Sequence, residues 1–209
     1  MFESARQAGR IPLLLIAGTC VSSTRALLKV LLEHAAFANT VVISSARDEH
    51  ELLRCARKIE LPVLETSARD DCLCCGMHSA LGDTLRKLFF EALHDRGVLL
   101  DRVMIESTTI SPDQLAHTLR HTPFLGQRYF HQFTFRVVTE EDLISKGIEV
   151  LRGLDSINRS SQQYLIIASS SRASATQFEA WKATIEHEFP YRQVLRLGHD
   201  SLLKCLGLC

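Results

Sequence analysis

Three of the chain's seven cysteines fall within four positions of the stretch DDCLCCGMHS: Cys72, Cys74 and Cys75. Thiols this close in sequence are badly placed to bridge one another, given the separation a disulfide demands. As thiolates they can converge on one soft cation, and zinc, cobalt or nickel would suit. A structural zinc site ordinarily takes four ligands from two separated pairs, so one tight cluster reads as an exchangeable site that borrows a further ligand or water. Glu65, Asp71, His78 and Cys20 are the candidates for that further ligand. Two other readings stay open. Cys72 and Cys75 have Cys-x-x-Cys spacing ahead of a helix expected to begin near His78, which is the arrangement of thiol redox sites. A cluster that holds no metal at all is the blander reading.

The remaining chemically capable residues are more scattered. Cys55 sits in LLRCARK and reads as a packed helical thiol, while Cys205 and Cys209 form a tail pair of unassigned role. His117 and His121 lie four apart on an expected helix, but no acidic residue accompanies them, so a solvent-facing pair is expected. Glu106 closes an apolar run, where it is read as a structural acid. Trp181, the chain's single tryptophan, reads as a helical core position.

The elements that must position these residues alternate from end to end. Short apolar runs predict strands at Pro12–Ala17, Thr40–Ser44, Pro62–Thr66, Arg102–Glu106, Tyr129–Val138, Tyr164–Ala168 and Gln193–Leu197. Between them, apolar spacing predicts helices at Thr24–His34, Glu49–Lys58, Ser79–Asp95, Pro112–Arg120, Glu141–Leu154 and Ala175–Glu188. This alternation argues for an α/β fold, a doubly wound and mainly parallel sheet flanked by helices. In such a sheet ligands sit at the carboxyl ends of the strands. The loops that matter therefore follow Ala17, Ser44, Thr66, Glu106 and Ala168. Residues 1–10 read as an N-terminal tail and 11–209 as one domain, with 209 residues enough to bury a core without staples.

Lysine plus arginine balances aspartate plus glutamate, so no nucleic-acid or anionic-membrane partner is expected. The longest apolar run, IPLLLIAG, is far short of the roughly 20 residues a membrane span requires. A cytoplasmic protein is expected, with its odd number of cysteines kept as thiols or metal ligands.

Three features in register resemble the CobW family of P-loop GTPases, relatives of the accessory proteins that insert nickel into hydrogenase and urease. A strand ending LLLIAG leads into a helix opening RALLKVLLEH, the CLCC cluster follows, and then comes a strand reading LLDRVMIESTTISP. The resemblance is best over residues 11–112 and looser to residue 200. It implies a P-loop NTPase-like fold, a Cys-x-Cys-Cys metal site, and guanine-nucleotide chemistry coupled to metal transfer. Family members often carry a glutamate a few residues before the cysteines, which brings in Glu65, although it lies seven before Cys72. Cys20 is no family ligand, but in a P-loop-like fold its loop shares a sheet edge with the loop after Thr66. No counterpart of the family's C-terminal domain is expected after RLGHDSLLKCLGLC.

The nucleotide motifs depart from that pattern. A phosphate loop reads G-x-x-x-x-G-K-[ST], because backbone N–H groups must approach the phosphates, lysine neutralises them and a hydroxyl holds magnesium. Gly18-Thr19-Cys20-Val21-Ser22-Ser23-Thr24-Arg25 stands at that place. Gly18 remains, Ser23 replaces the second glycine, Thr24 the lysine and Arg25 the magnesium hydroxyl. Residues 18 and 22–25 are thus a degenerate phosphate loop, able at most to hold an anion weakly on a helix N-terminus. Thr109 stands for the family's glycine after the fourth-strand acid, Ser44 and Ser45 for its Asn-Glu, and Ala168-Ser169-Ser170-Ser171 for its base-reading Asn-Lys-x-Asp. Neither GTP hydrolysis nor bound GTP and magnesium is expected. The expectation is a CobW-like pseudo-GTPase with a zinc or other transition-metal site at Cys72, Cys74, Cys75, Glu65 and Cys20. Its role would be metal delivery, storage or sensing, with a client metalloprotein or an intact homologue as partner. A GTP-binding metallochaperone with an atypical loop and a non-catalytic interaction module are the alternatives.

Overall fold

In a computed structural model of the chain, the described residues are 9–44, 57–60, 73–94, 100–152, 162–168, 174–189, 192–197, 202 and 204. In chain order the elements are β1 (Ile11–Gly18), α1 (Val21–Glu33), a 3-10 turn at Ala35–Phe37, β2 (Thr40–Ser44), β3 (Arg57–Glu60) and α2 (Leu73–His94). There follow β4 (Arg102–Ser107), α3 (Pro112–His121), α4 (Pro123–Arg128), β5 (Tyr129–Thr139), α5 (Glu140–Lys146), α6 (Glu149–Arg152), β6 (Gln162–Ala168), α7 (Ala175–Glu188) and β7 (Arg192–Arg196). The strands form one seven-stranded sheet in the order β3-β2-β4-β1-β5-β6-β7. Every pairing is parallel. The doubly wound α/β architecture expected from the alternation is the observed one.

Strand periodicity assigns the two faces. Leu14 and Ile16 of β1 pack with Leu27, Leu28, Leu31 and Leu32 of α1. Leu13 and Leu15 point the other way, against Leu81, Leu85 and Leu88 of α2, Leu115 of α3 and Leu125 of α4. A third cluster joins Val138, Leu165 and Ile167 to Leu143, Leu151, Phe178 and Ile185, with Trp181 partly buried against it. It lies on the same face as the second, but β5 places the buried Thr134 and Arg136 between them. The pairing of β1 with β5 skips one residue: Leu13 opposes His131 and Leu14 opposes Phe133. This bulge at Gln132 turns Phe133 and Phe135 towards the α1 face, where both pack.

Several boundaries differ from expectation. Residues 57–58, read as the end of a helix, are the start of β3, a short edge strand on β2. The expected strand Pro62–Thr66 and most of the expected helix Glu49–Lys58 lie outside the described residues. The helix read as Glu141–Leu154 is two pieces, because Gly147 has a φ of 60° that a side-chain-bearing residue would resist. Helix α4 was not foreseen. Ser111 opens α3 with a capping box, its hydroxyl accepting from Gln114 N–H while the Gln114 side chain accepts from Ser111 N–H. Helix α2 begins at Leu73, several residues before the expected start, so Cys74 and Cys75 belong to its backbone.

Candidate functional site

Strand β1 lies mid-sheet, and the helices that follow β1 and β4 leave on opposite faces, which makes their carboxyl ends the switch region. Ser44 closes β2, Glu106 stands next to last in β4, and the two are direct partners across the parallel pairing. Both continue the parity of Val42 and Met104, so both face α1. At that edge α1 contributes Thr24 and Arg25 from its first turn, and the four side chains close into one buried network.

The guanidinium of Arg25 grips the carboxylate with two donors: Nε donates to Glu106 Oε1 at 3.1 Å and Nη2 lies 2.9 Å from Oε2. Nη2 also donates to Ser44 Oγ at 3.3 Å, and Ser44 Oγ donates to Glu106 Oε2 at 2.8 Å. Thr24 Oγ1 reaches Glu106 Oε1 at 3.1 Å as well as the Val21 carbonyl at 3.0 Å. Glu106 is 2% exposed and Arg25 8%. A carboxylate removed from water to this extent requires a cation and donors, and a forked guanidinium supplies both in one plane. Arg25 Nη1, buried with them, has no hydrogen-bond partner among the described residues.

The segment expected to form a degenerate phosphate loop is a tight turn. Helix α1 starts at Val21 rather than Thr24, leaving Thr19 and Cys20 between it and β1. Ser23 Oγ donates back to the Cys20 carbonyl at 2.9 Å, and Thr24 N–H bonds the same oxygen at 3.2 Å. Thr24 N–H is thereby taken up within the helix, and the N–H groups of Ser22 and Ser23 turn to the Cys20 sulfur. Gly18 has a packing reason of its own. A Cβ there would sit 2.7 Å from Thr24 Cγ2 and 2.9 Å from the Val137 carbonyl oxygen. At this turn no lysine is offered, Thr24 N–H is taken by the Cys20 carbonyl, and the Glu106 carboxylate is already paired with Arg25.

Cys20 occupies the turn itself, partly exposed, with its sulfur 2.9 Å from Ser22 Oγ. The Ser22 hydroxyl, with the N–H groups of Ser23 and Ser22 adding to it, holds the thiol below its usual range. Thiolate is the form that binds soft metals, so Cys20 suits a ligand role chemically. Thr19 Oγ1 donates to Asp142 Oδ2 at 2.9 Å, tying the turn to the start of α5. Asp142 is held below the usual carboxylate range chiefly by Lys146, whose Nζ donates to Oδ1 at 2.9 Å.

Of the expected metal ligands, Cys72 and Glu65 lie outside the described residues, and Cys74 and Cys75 are placed by backbone alone. Among the described residues no group of three or more His, Cys, Asp or Glu is arranged to hold a metal. His117 and His121 are both exposed, with ring centroids 4.0 Å apart on α3. The structure thus brings Thr24 and Arg25 together with Glu106 and Ser44, and Ser22 with Cys20. Sequence reasoning treated Glu106 and Ser44 separately, although their equal parity on neighbouring strands was a readable signal of contact.

No family model and no curated protein sequence matches the chain. Among solved structures it is similar to the zinc(II)-bound YjiA GTPase from E. coli, at a TM-score of 0.58 and 14% identity. The match covers 88% of this chain and 57% of that one, so the chain spans somewhat over half the length of this neighbour. The likeness is one of fold, a parallel α/β sheet flanked by helices. No helix among the described residues is long and apolar enough to cross a membrane.

Proposed function

We propose that the chain is a CobW-like pseudo-GTPase, a P-loop-type domain that handles a transition metal without nucleotide chemistry. The observation that carries this reading is the Arg25–Glu106 pair, a buried cation fixed to the chain where a nucleotide-binding relative would need room for phosphate and magnesium. Zinc is the metal that fits the donor set best, with Cys72, Cys74 and Cys75 as thiolate ligands and Glu65 and Cys20 as candidates to complete the site. The acidified thiol of Cys20 and the zinc recorded in the YjiA GTPase structure support the choice. The role is delivery, storage or sensing of the ion in the cytoplasm, and release requires a partner protein, a client metalloprotein or an intact homologue.

Two measurements test the reading. Calorimetry with GTP and with ATP, each with magnesium, is expected to show no binding. Micromolar affinity with turnover would make the chain a GTP-binding metallochaperone with an atypical loop instead. Metal analysis of the purified protein beside a Cys72→Ser, Cys74→Ser, Cys75→Ser triple variant is expected to show zinc in the first and its loss in the second. Equal metal content in both would remove the thiolate site and leave an interaction module.

A further inference from the structure

We propose that Arg25 is a built-in substitute for a bound divalent cation, and that the oxygens gathered round its guanidinium form a latent hard-cation site that opens when the guanidinium is removed. This rests on the pseudo-GTPase reading and says how that site is regulated: its cation is covalent, so the sheet edge cannot be switched by a diffusible one.

The oxygens come from three elements. Thr24 Oγ1 of α1, Ser44 Oγ of β2 and both carboxylate oxygens of Glu106 on β4 are linked to one another or to the guanidinium within 3.3 Å. A carboxylate with two hydroxyls is a donor set for magnesium or manganese, ions that prefer hard oxygen and need few protein ligands. Thr24 and Ser44 are fully buried, so the set is preorganised and dry. Arg25 serves it imperfectly. Nε and Nη2 are used, whereas Nη1 is buried and has no partner among the described residues. The acceptors gathered here therefore satisfy two of the three guanidinium nitrogens and leave the third over. Truncation would leave Glu106 with two hydroxyl partners and an uncompensated buried charge, which raises the demand for a cation from solution.

The test uses the full chain as wild type, Arg25→Ala, Arg25→Lys and the Arg25→Ala, Glu106→Gln double variant. Each is titrated with MnCl2 without nucleotide and followed by the loss of the free Mn2+ electron-paramagnetic-resonance signal and by the melting temperature. Mn2+ is a probe that thiolates take up poorly compared with soft ions, which keeps the cysteine cluster out of the readout. The Arg25→Ala protein is expected to melt lower than wild type, to bind on the order of one Mn2+ per chain and to regain melting temperature as it does so. Wild type, Arg25→Lys and the double variant are expected to bind none at this site. Mn2+ binding by wild type equal to that of Arg25→Ala, or a folded Arg25→Ala protein that ignores Mn2+, would overturn the inference. If Arg25→Ala does not fold unaided, its refolding from urea with and without Mn2+ reads the same property, and equal recovery overturns it. Mg-GTP binding by wild type would instead remove the pseudo-GTPase reading. A wild type indifferent to GTP beside an Arg25→Ala protein indifferent to Mn2+ removes this inference alone.

Discussion

Replacing Arg25 by Met keeps most of the side-chain volume and deletes the charge, which isolates the electrostatic worth of the pair. Glu106 would then keep only the Thr24 and Ser44 hydroxyls for a carboxylate whose side chain is 2% exposed. Breaking a buried pair from one side costs about 3–5 kcal/mol. Changing both partners, Arg25→Met with Glu106→Leu, removes the unpaired charge. Thr24 still has the Val21 carbonyl as acceptor, and Ser44 gives up its bond to Glu106, a cost of roughly 1–2 kcal/mol. The double variant should therefore be about 2–3 kcal/mol more stable than Arg25→Met alone. Urea melts followed by circular dichroism, with the partly buried Trp181 as a fluorescent reporter on the third cluster, give the four stabilities of the cycle. If Arg25→Met loses under about 1 kcal/mol, or if the two single losses simply add, the pair is not the electrostatic unit its geometry describes.

Three further outcomes follow from particular residues. Burial lowers His131 from 6.5 to about 4, so between those values the unfolded chain binds the extra proton and stability falls as pH drops. The loss is fully developed below about pH 4 and amounts to roughly 3 kcal/mol, and His131→Gln should flatten that stretch of the urea-melt pH profile, whereas an unchanged slope would refute it. Gly18→Ala should destabilise by about 1–3 kcal/mol, because its Cβ would strike a backbone carbonyl as well as Thr24, and a neutral result in a thermal melt would show that the turn relaxes. Ser22→Ala should slow alkylation of Cys20 by iodoacetamide at pH 7, measured by mass spectrometry of the Cys20 peptide, since the hydroxyl that favours the thiolate is gone.

The sheet was legible because parallel strands buried on both faces leave unbroken apolar runs, as in LLLI, TVVI and RVMI. What escaped lay where a local pattern carried two meanings. RKIE continues the helical spacing of ELLRCARK, yet as an edge strand it needs one apolar residue, Ile59, which packs against the second cluster. The start of α1 was read late because a phosphate-loop template assigns residues 19–23 to a loop, whereas Cys20 is the N-cap and Ser23 bonds back to its carbonyl. The same template cast Arg25 as a failed hydroxyl, while Glu106 was read as a structural acid with no partner named. Each was read against its own motif position, and only the packing of α1 on the face shared by Ser44 and Glu106 joins them. The cysteine cluster was read as following a strand in a loop, while α2 already includes Cys74 and Cys75. Spacing reports which thiols are near one another in sequence, not where the helix that carries them begins.

A buried carboxylate at the carboxyl edge of a parallel sheet has to be matched by positive charge, and the source of that charge decides how the domain behaves. When the cation and its anionic partner come from solution, the three elements that meet there adjust as the ligand comes and goes, and the domain is a switch. Here α1, β2 and β4 are joined through Thr24, Arg25, Ser44 and Glu106 by the chain's own atoms. On the pseudo-GTPase reading, the energy that would couple nucleotide to shape is committed in this network instead. On that same reading the ligand response arises at the thiols, of which Cys74 and Cys75 lie in the first turn of α2. Metal uptake there would bias α2 against the sheet through Leu81, Leu85 and Leu88.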